Sequence, residues 1–229
     1  LPKKVGNFSG YSLFPSFLII LMIEQLRQRL QLPLPGTKAQ FEMRNGQYEP
    51  HVLRDFYQNL PPSHRKAAVT VLLFQRQGQW HTALMQRPAD SHAHSNEVSL
   101  PGGRHDETDP HILFTAQREL EEEFGVKPHQ VEILGALSPL YIPISNIYLS
   151  PFVGYAAESD IKFAPDPKEV VEVLETPISW LLDPARRKTT NIQHGELEMP
   201  NVPYFDFHQR VVWGATAMII NEFIACLSE

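Results

Sequence analysis

Apolar and polar positions divide the 229-residue chain into helical, extended and irregular stretches. Residues 13–23 (LFPSFLIILMI) are almost wholly apolar. Residues 22–32 place Ile23, Leu26 and Leu30 on one side of a short helix and Arg27 and Arg29 on another, and Pro33, Pro35 and Gly36 end it. Residues 37–66 are polar without a period and read as an irregular arm. At Ala67 the pattern changes. Residues 67–74 are β-rich and apolar, 75–79 form a turn around Gly78, and 80–86 return as a second strand. A long loop over 88–106 follows, holding Pro101, Gly102 and Gly103. Asp109 and Pro110 read as a helix cap and first helical position, and Gly125 as the stop after Phe124. Strands are expected at 131–140 and 146–156, a short helix at 178–182, a hairpin-like strand region at 204–212 and an apolar closing helix at 214–227. Strands and helices alternate without a repeating βαβ period. The fold class is therefore α/β (α+β), with a mixed β-sheet and helices on its faces.

Composition narrows this picture. At 42% hydrophobic and 20% charged, the chain has enough apolar residues for a core, which excludes gross disorder and coiled coil. Lys and Arg total 20 against 26 Asp and Glu, a net charge of −6, so the basic face of a general nucleic-acid binder is missing. The single cysteine, Cys226, excludes an internal disulfide framework and a Cys-rich zinc site, and its apolar helix makes it a core residue. One cysteine fits a reducing compartment, and a cytoplasmic location is expected. His92, His94, His105 and His111 crowd one stretch, but their spacing matches no zinc motif and they read as solvated loop residues. Trp180 and Trp213 read as core aromatics.

The apolar run at 13–23 is shorter than the ~20 residues that span a bilayer. Glu24, Gln25, Leu26 and Arg27 after it do not resemble a signal cleavage site. Residues 1–21 are read as a leader that is not native, with a weak membrane anchor as the competing reading and no stable membrane insertion expected. Residues 22–59 form an N-terminal helix and arm, and 60–229 the main domain.

The chemistry concentrates in residues 100–126 (LPGGRHDETDPHILFTAQRELEEEFGV). On a helix, Glu122 and Glu123 fall roughly 60° and 40° to either side of Glu119, so three carboxylates share one face while Glu121 points away. Like charges at these spacings destabilise a bare helix and call for a cation or full solvation. Carboxylate oxygens are ligands for Mg²⁺, which is held by a few carboxylates together with substrate phosphates. Arg118 is placed to orient Glu119 by a charge-assisted hydrogen bond, and Gly102 and Gly103 let backbone approach the helix closely. A solvated acidic face is the commoner reading of such helices, but it leaves Arg118, the double glycine and the glycine stop unexplained.

Residues 118–126 (RELEEEFGV) resemble the second half of the Nudix hydrolase box, R-E-U-x-E-E-x-G-U, at every specified position. The first half departs: after Gly103 come five residues, then Asp109 in place of Glu, then eight residues before Arg118 where the box has seven. That longer spacing is similar to the coenzyme A pyrophosphatase branch, which reads P-G-G-K/R-x-D-x-x-D, as residues 101–109 (PGGRHDETD) do. The branch's upstream pattern keeps its spacing from Arg87 to residues 101–103, while His92 stands where the branch has Arg, Asn96 for Gly, Leu100 for Phe and Pro88 for Ser or Ala.

The resemblance implies an α/β/α sandwich around the mixed sheet, and Mg²⁺- or Mn²⁺-dependent hydrolysis of a nucleoside diphosphate linked to another group. Carried across, Glu119, Glu122 and Glu123 are metal ligands. One of them, or Glu169 outside the box, is the general base; a solvated loop acid is an equal reading of Glu169. Arg87, Arg104 and His92 are candidates for the substrate's phosphates, with Gly102 and Gly103 beside them. The leading expectation is a pyrophosphohydrolase of coenzyme A or acyl-CoA. Alternatives are another nucleoside diphosphate derivative (ADP-ribose, a dinucleotide or an oxidised nucleotide) and a non-catalytic nucleotide-sensing module. A homodimer is one assembly the sequence allows.

Overall fold

The computed structural model describes residues 14–44, 60–89, 97–158, 161–195 and 197–228. Its centre is strand β1 (Arg65–Arg76), whose side chains alternate between two cores. Val71 and Leu73 enter one apolar cluster, and Leu72 and Phe74 the other. β2 (Gln79–Gln86) returns antiparallel through a two-residue turn in which Gln77 and Gly78 both have positive φ, the geometry that matches strand twist in tight hairpins. β3 (Val98–Ser99) extends β2, and β4 (Gly102–Arg104) lies against the start of β1. Beyond β1 run β5 (Val131–Ala136), β6 (Leu140–Ile142) and β7 (Ile147–Ala156). β7 is parallel to β1, and every other pairing in this eight-stranded sheet is antiparallel. β8 (Glu172–Pro177), absent from the sequence expectation, pairs with the outer edge of β2.

Helix α1 (Phe14–Arg29) begins earlier than expected and crosses the boundary drawn at residue 22. Pro15 is no obstacle, because it lies in the first turn, where its missing N–H has no helical partner to lose. Ile23, Leu26 and Leu30 are buried in the first core, so the 22–32 stripe does face the sheet. Residues 37–43 are not irregular. They form α2 (Thr37–Gln40) and a 3₁₀ turn (Phe41–Met43) against the last helix. Helix α3 (Ile112–Phe124) covers the second core through Leu120 and Phe124 and ends at Gly125 with φ 71°. The short helix α4 (Ile178–Leu181) precedes a three-stranded antiparallel sheet, β9 (Arg187–His194), β10 (Leu197–Phe207) and β11 (Arg210–Val212). Helix α5 (Gly214–Ser228) closes the chain over the first core, with Phe223 and Cys226 buried. Helices thus cover both faces of a mixed sheet, as the fold expectation required. Among the described residues, no helix is long and apolar enough to cross a membrane.

Candidate active site

The turn at Pro101–Gly103 and helix α3 meet at a carboxylate centre. Glu123 is 1% exposed, and its Oε2 accepts the Gly102 N–H at 2.7 Å. The Arg87 guanidinium lies 3.5 Å from its other oxygen. Burial pushes the Glu123 carboxyl up to about 8 despite the Gly102 hydrogen bond and Arg87. Glu119, one turn back, is also raised by burial, against the pull of Arg118. Glu169 completes the group: one oxygen from each of Glu119, Glu123 and Glu169 lies within 4.8 Å of the others. Glu169 arrives from a turn in which its N–H and that of Val170 donate to the Asp166 carbonyl. Val171 then hydrogen-bonds the Gln86 carbonyl and starts β8 beside β2, while Val170 and Ile161 are buried under α3.

Three acidic oxygens this close, two of them from carboxyls whose charged form is disfavoured by burial, suit a hard divalent cation. The neighbouring glycines make room for them. A Cβ on Gly103 would sit 2.3 Å from Glu119 Oε1, so any side chain there would displace the Glu119 carboxylate. Gly102 has φ 150° and faces the Ala68 carbonyl and Val69 just as closely.

Glu122 stands apart from this group. Its side chain is 52% exposed and accepts Arg118 Nη1 at 2.8 Å, and the same nitrogen donates to Glu119 at 2.9 Å. Arg118 is the hub of the helix. Its Nε reaches Asp109 Oδ1 at 3.0 Å, and its Nη2 donates to Asp109 Oδ2 and the Arg104 carbonyl. The Asp109 carboxyl is held well below the usual range, first by these guanidinium bonds and further by the Asp106 N–H and the Thr115 hydroxyl.

Asp109 is therefore not the helix cap. His111 is: its Nδ1 accepts the Phe114 N–H at 3.0 Å. The eight residues between Asp109 and Arg118 leave room for this cap while Asp109 turns inward as the anchor of Arg118. His105 lies 2.7 Å from the Thr115 hydroxyl and joins the same network rather than hanging in solvent. The Arg104 side chain is exposed on β4, outside the carboxylate group. His92 and His94 lie outside the described residues. Trp180 is only partly buried and stacks under Arg186, 3.8 Å from its ring centre, so it is a surface platform more than a core aromatic. Sequence reasoning overlooked Thr115 and misread His105 as a solvated loop residue. The one signal for Thr115 was spacing, since it falls three residues before Arg118 on the same helical side.

The loop–helix unit on this mixed sheet brings together three carboxylates that suit a divalent cation. The model for the NUDIX domain matches residues 64–193, and the chain belongs to the Nudix family; it is a Nudix hydrolase. A protein of Pectobacterium atrosepticum described as an uncharacterized Nudix hydrolase NudL is 33% identical over 180 residues, covering 76% of this chain and 92% of that one. Nudix hydrolase 15, mitochondrial, of Arabidopsis thaliana is 34% identical over 164 residues, covering 68% of this chain and 56% of its own length. Among solved structures, a MutT/nudix family protein from Enterococcus faecalis aligns with a TM-score of 0.49 and 16% identity, covering 84% of this chain and 74% of that one.

Proposed function

We infer that the protein hydrolyses the diphosphate of coenzyme A or an acyl-CoA, using Mg²⁺ or Mn²⁺. The observation that carries the chemistry is the convergence of Glu119, Glu123 and Glu169 beside the Gly102–Gly103 turn. The observation that favours coenzyme A is the spacing from Arg87 through residues 101–103 to Asp109, which keeps the branch's form. A bound cation would neutralise diphosphate charge and stabilise the leaving oxygen.

The chain's own groups do the remainder. Glu119 and Glu123 would be the helix ligands of that cation, and Glu122, bonded to Arg118 on the same helix, is the third candidate. Arg118 orients Glu119 and Glu122 from its fixed seat on Asp109. Arg87 and Arg104 hold phosphate oxygens, with His92 a third candidate. Glu169 accepts a proton from the attacking water, whose oxygen becomes part of one product phosphate as the bridging P–O bond breaks. Coenzyme A then yields phosphopantetheine and adenosine 3′,5′-bisphosphate.

The deciding experiment is a panel of diphosphate substrates with Mg²⁺ or Mn²⁺, read by mass spectrometry of products. Coenzyme A should head the panel, and Glu122→Gln should cost at least tenfold in kcat without lowering Tm. Preference for ADP-ribose or a dinucleotide would support the second reading, which rests on the changed residues Pro88, His92, Asn96 and Leu100. Wild-type turnover in Glu122→Gln would remove that residue from the ligand set.

A further inference from the structure

The seat of Arg118 has a support of its own. Asp109 is buried and receives Arg118 through two nitrogens, at 3.0 and 3.1 Å, so it stands as a carboxylate and can only accept hydrogen bonds. Thr115 Oγ1 lies 2.8 Å from Asp109 Oδ2, the distance of an O–H···O hydrogen bond, and only Thr115 can supply the hydrogen. That commits its one hydroxyl hydrogen. His105 Nδ1 lies 2.7 Å from the same Thr115 oxygen and must therefore be the donor of that contact. Donation thus runs one way, from His105 to Thr115 and from Thr115 to Asp109. Arg118 donates to Asp109 from the other side and, through Nη1, to Glu119 and Glu122.

The direction matters because Thr115 has somewhere else to turn. A helical threonine readily donates to the carbonyl four residues back, here that of His111. Thr115 is fully buried, so protein groups decide which way its hydroxyl points. A hydrogen from His105 on the Thr115 oxygen leaves the hydroxyl hydrogen aimed at Asp109. His105 is itself fixed to the sheet, since its N–H donates to the Lys66 carbonyl of β1 at 2.9 Å.

We propose that His105 and Thr115 are positioning residues for the carboxylate centre. The Nδ1–H of His105 sets the Thr115 hydroxyl, which sets Asp109 and so the guanidinium that orients Glu119 and Glu122. The proposal rests on the cation reading above and deepens it by adding the two side chains that hold its orienting arginine. Because they act through Arg118, their loss should weaken the cation site and slow turnover while leaving the affinity for substrate.

The test uses the full-length protein and reads Mn²⁺ binding by the EPR signal of the free ion, with coenzyme A turnover in parallel. His105→Ala removes the donor, and His105→Asn restores it, because the Asn Nδ2 stands where the ring Nδ1 does. His105→Ala should weaken Mn²⁺ binding at least threefold and lower kcat at least fivefold, with KM within twofold. His105→Asn should bring both back to within twofold of wild type. Thr115→Val should cost at least as much as His105→Ala, and the double variant should be no worse than Thr115→Val alone. In the neutral ring, ¹⁵N shifts should place the His105 hydrogen on Nδ1. A hydrogen on Nε2 would reverse the donation and overturn the proposal. Full additivity in the double variant, or a loss confined to KM, would do the same by making His105 a substrate contact. A lower Tm with wild-type Mn²⁺ binding and kcat would reduce the pair to a structural brace. Should Thr115→Val fail to fold, the His105 pair and the ring shifts decide. A wild-type protein that binds Mn²⁺ yet cleaves no coenzyme A overturns the substrate reading alone, and the Mn²⁺ titrations still decide this one. A wild-type protein that binds no Mn²⁺ overturns both.

Discussion

Glu123 shows how one carboxyl can be both unfavourable and useful. In the cation-free protein its burial pushes it up to about 8, whereas an ordinary Glu titrates near 4.5. Between those values the folded protein keeps a proton that the unfolded chain has lost. Stability therefore falls as pH rises from about 4.5 to about 8, and levels off above. Glu123→Gln removes this dependence while its amide oxygen can still accept the Gly102 N–H. Melts in a chelator from pH 5 to 8.5 should show the wild-type Tm falling with pH and the variant's falling less, so that the variant is the more stable at pH 8. Parallel curves would mean that Glu123 is ionised in the folded protein throughout. Activity should be lost in the same variant, because the charge that weakens the empty site is the charge a cation needs.

The loop β4 and helix α3 act as one element, and their two glycines separate its two duties. At Gly103 an added methyl meets the end of the Glu119 side chain, which can swing aside. Gly103→Ala should therefore leave Tm within about 3 °C while lowering kcat at least tenfold through a displaced carboxylate. At Gly102 the methyl meets the Ala68 carbonyl 2.2 Å away and Val69 backbone, on a residue with φ 150°. Gly102→Ala should destabilise by about 2 kcal/mol or more, since strained backbone cannot swing aside. Thermal melts and steady-state kinetics on the pair check both statements. Much of this element was legible in the sequence because its information is local: the helix face, the glycine stop at Gly125 and the Arg118–Glu119 contact all follow from spacing. What spacing could not reveal was which carboxylates converge. Glu169 reaches the centre only because β8 pairs with β2, and residues 172–177 (EVLETP) carry too weak an alternation to announce a strand. β9 was missed for the same reason: residues 187–194 (RKTTNIQH) are mostly polar, and the strand exists through its pairing with β10. Asp109 was mistaken for a cap because Asp before Pro is a good local cap signal, and the pull of Arg118 is tertiary.

At the scale of the whole molecule, segments before and after the matched residues 64–193 are fastened to each other across the sheet face opposite α3. The fastening is Glu222 of α5, fully buried. Its carboxylate accepts the Gly36 N–H at 3.0 Å, the Gln40 amide at 2.8 Å and the Ser138 N–H at 3.2 Å. Asn221 beside it donates to the Ala39 carbonyl and to Glu42, which also receives Arg187 from β9. The charge of Glu222 is thus spread over hydrogen-bond donors drawn from both the N-terminal segment and the domain. Glu222→Gln keeps the shape and replaces one acceptor with a donor. The Gln40 amide could flip to meet it, since its Oε1 is buried without a partner, but the Gln40 bond to the Ser138 carbonyl would then be lost. Either arrangement leaves a buried donor unsatisfied, at a cost of about 1–3 kcal/mol. For a chain of this size that is a fall in Tm of roughly 2–4 °C per kcal/mol. kcat and KM should be unchanged, because α5 and the carboxylate centre lie on opposite faces of the sheet. A variant that melts lower but turns over normally would make Glu222 a brace that holds the two ends of the chain on the domain. A raised KM at normal Tm would instead make the N-terminal segment part of the substrate site.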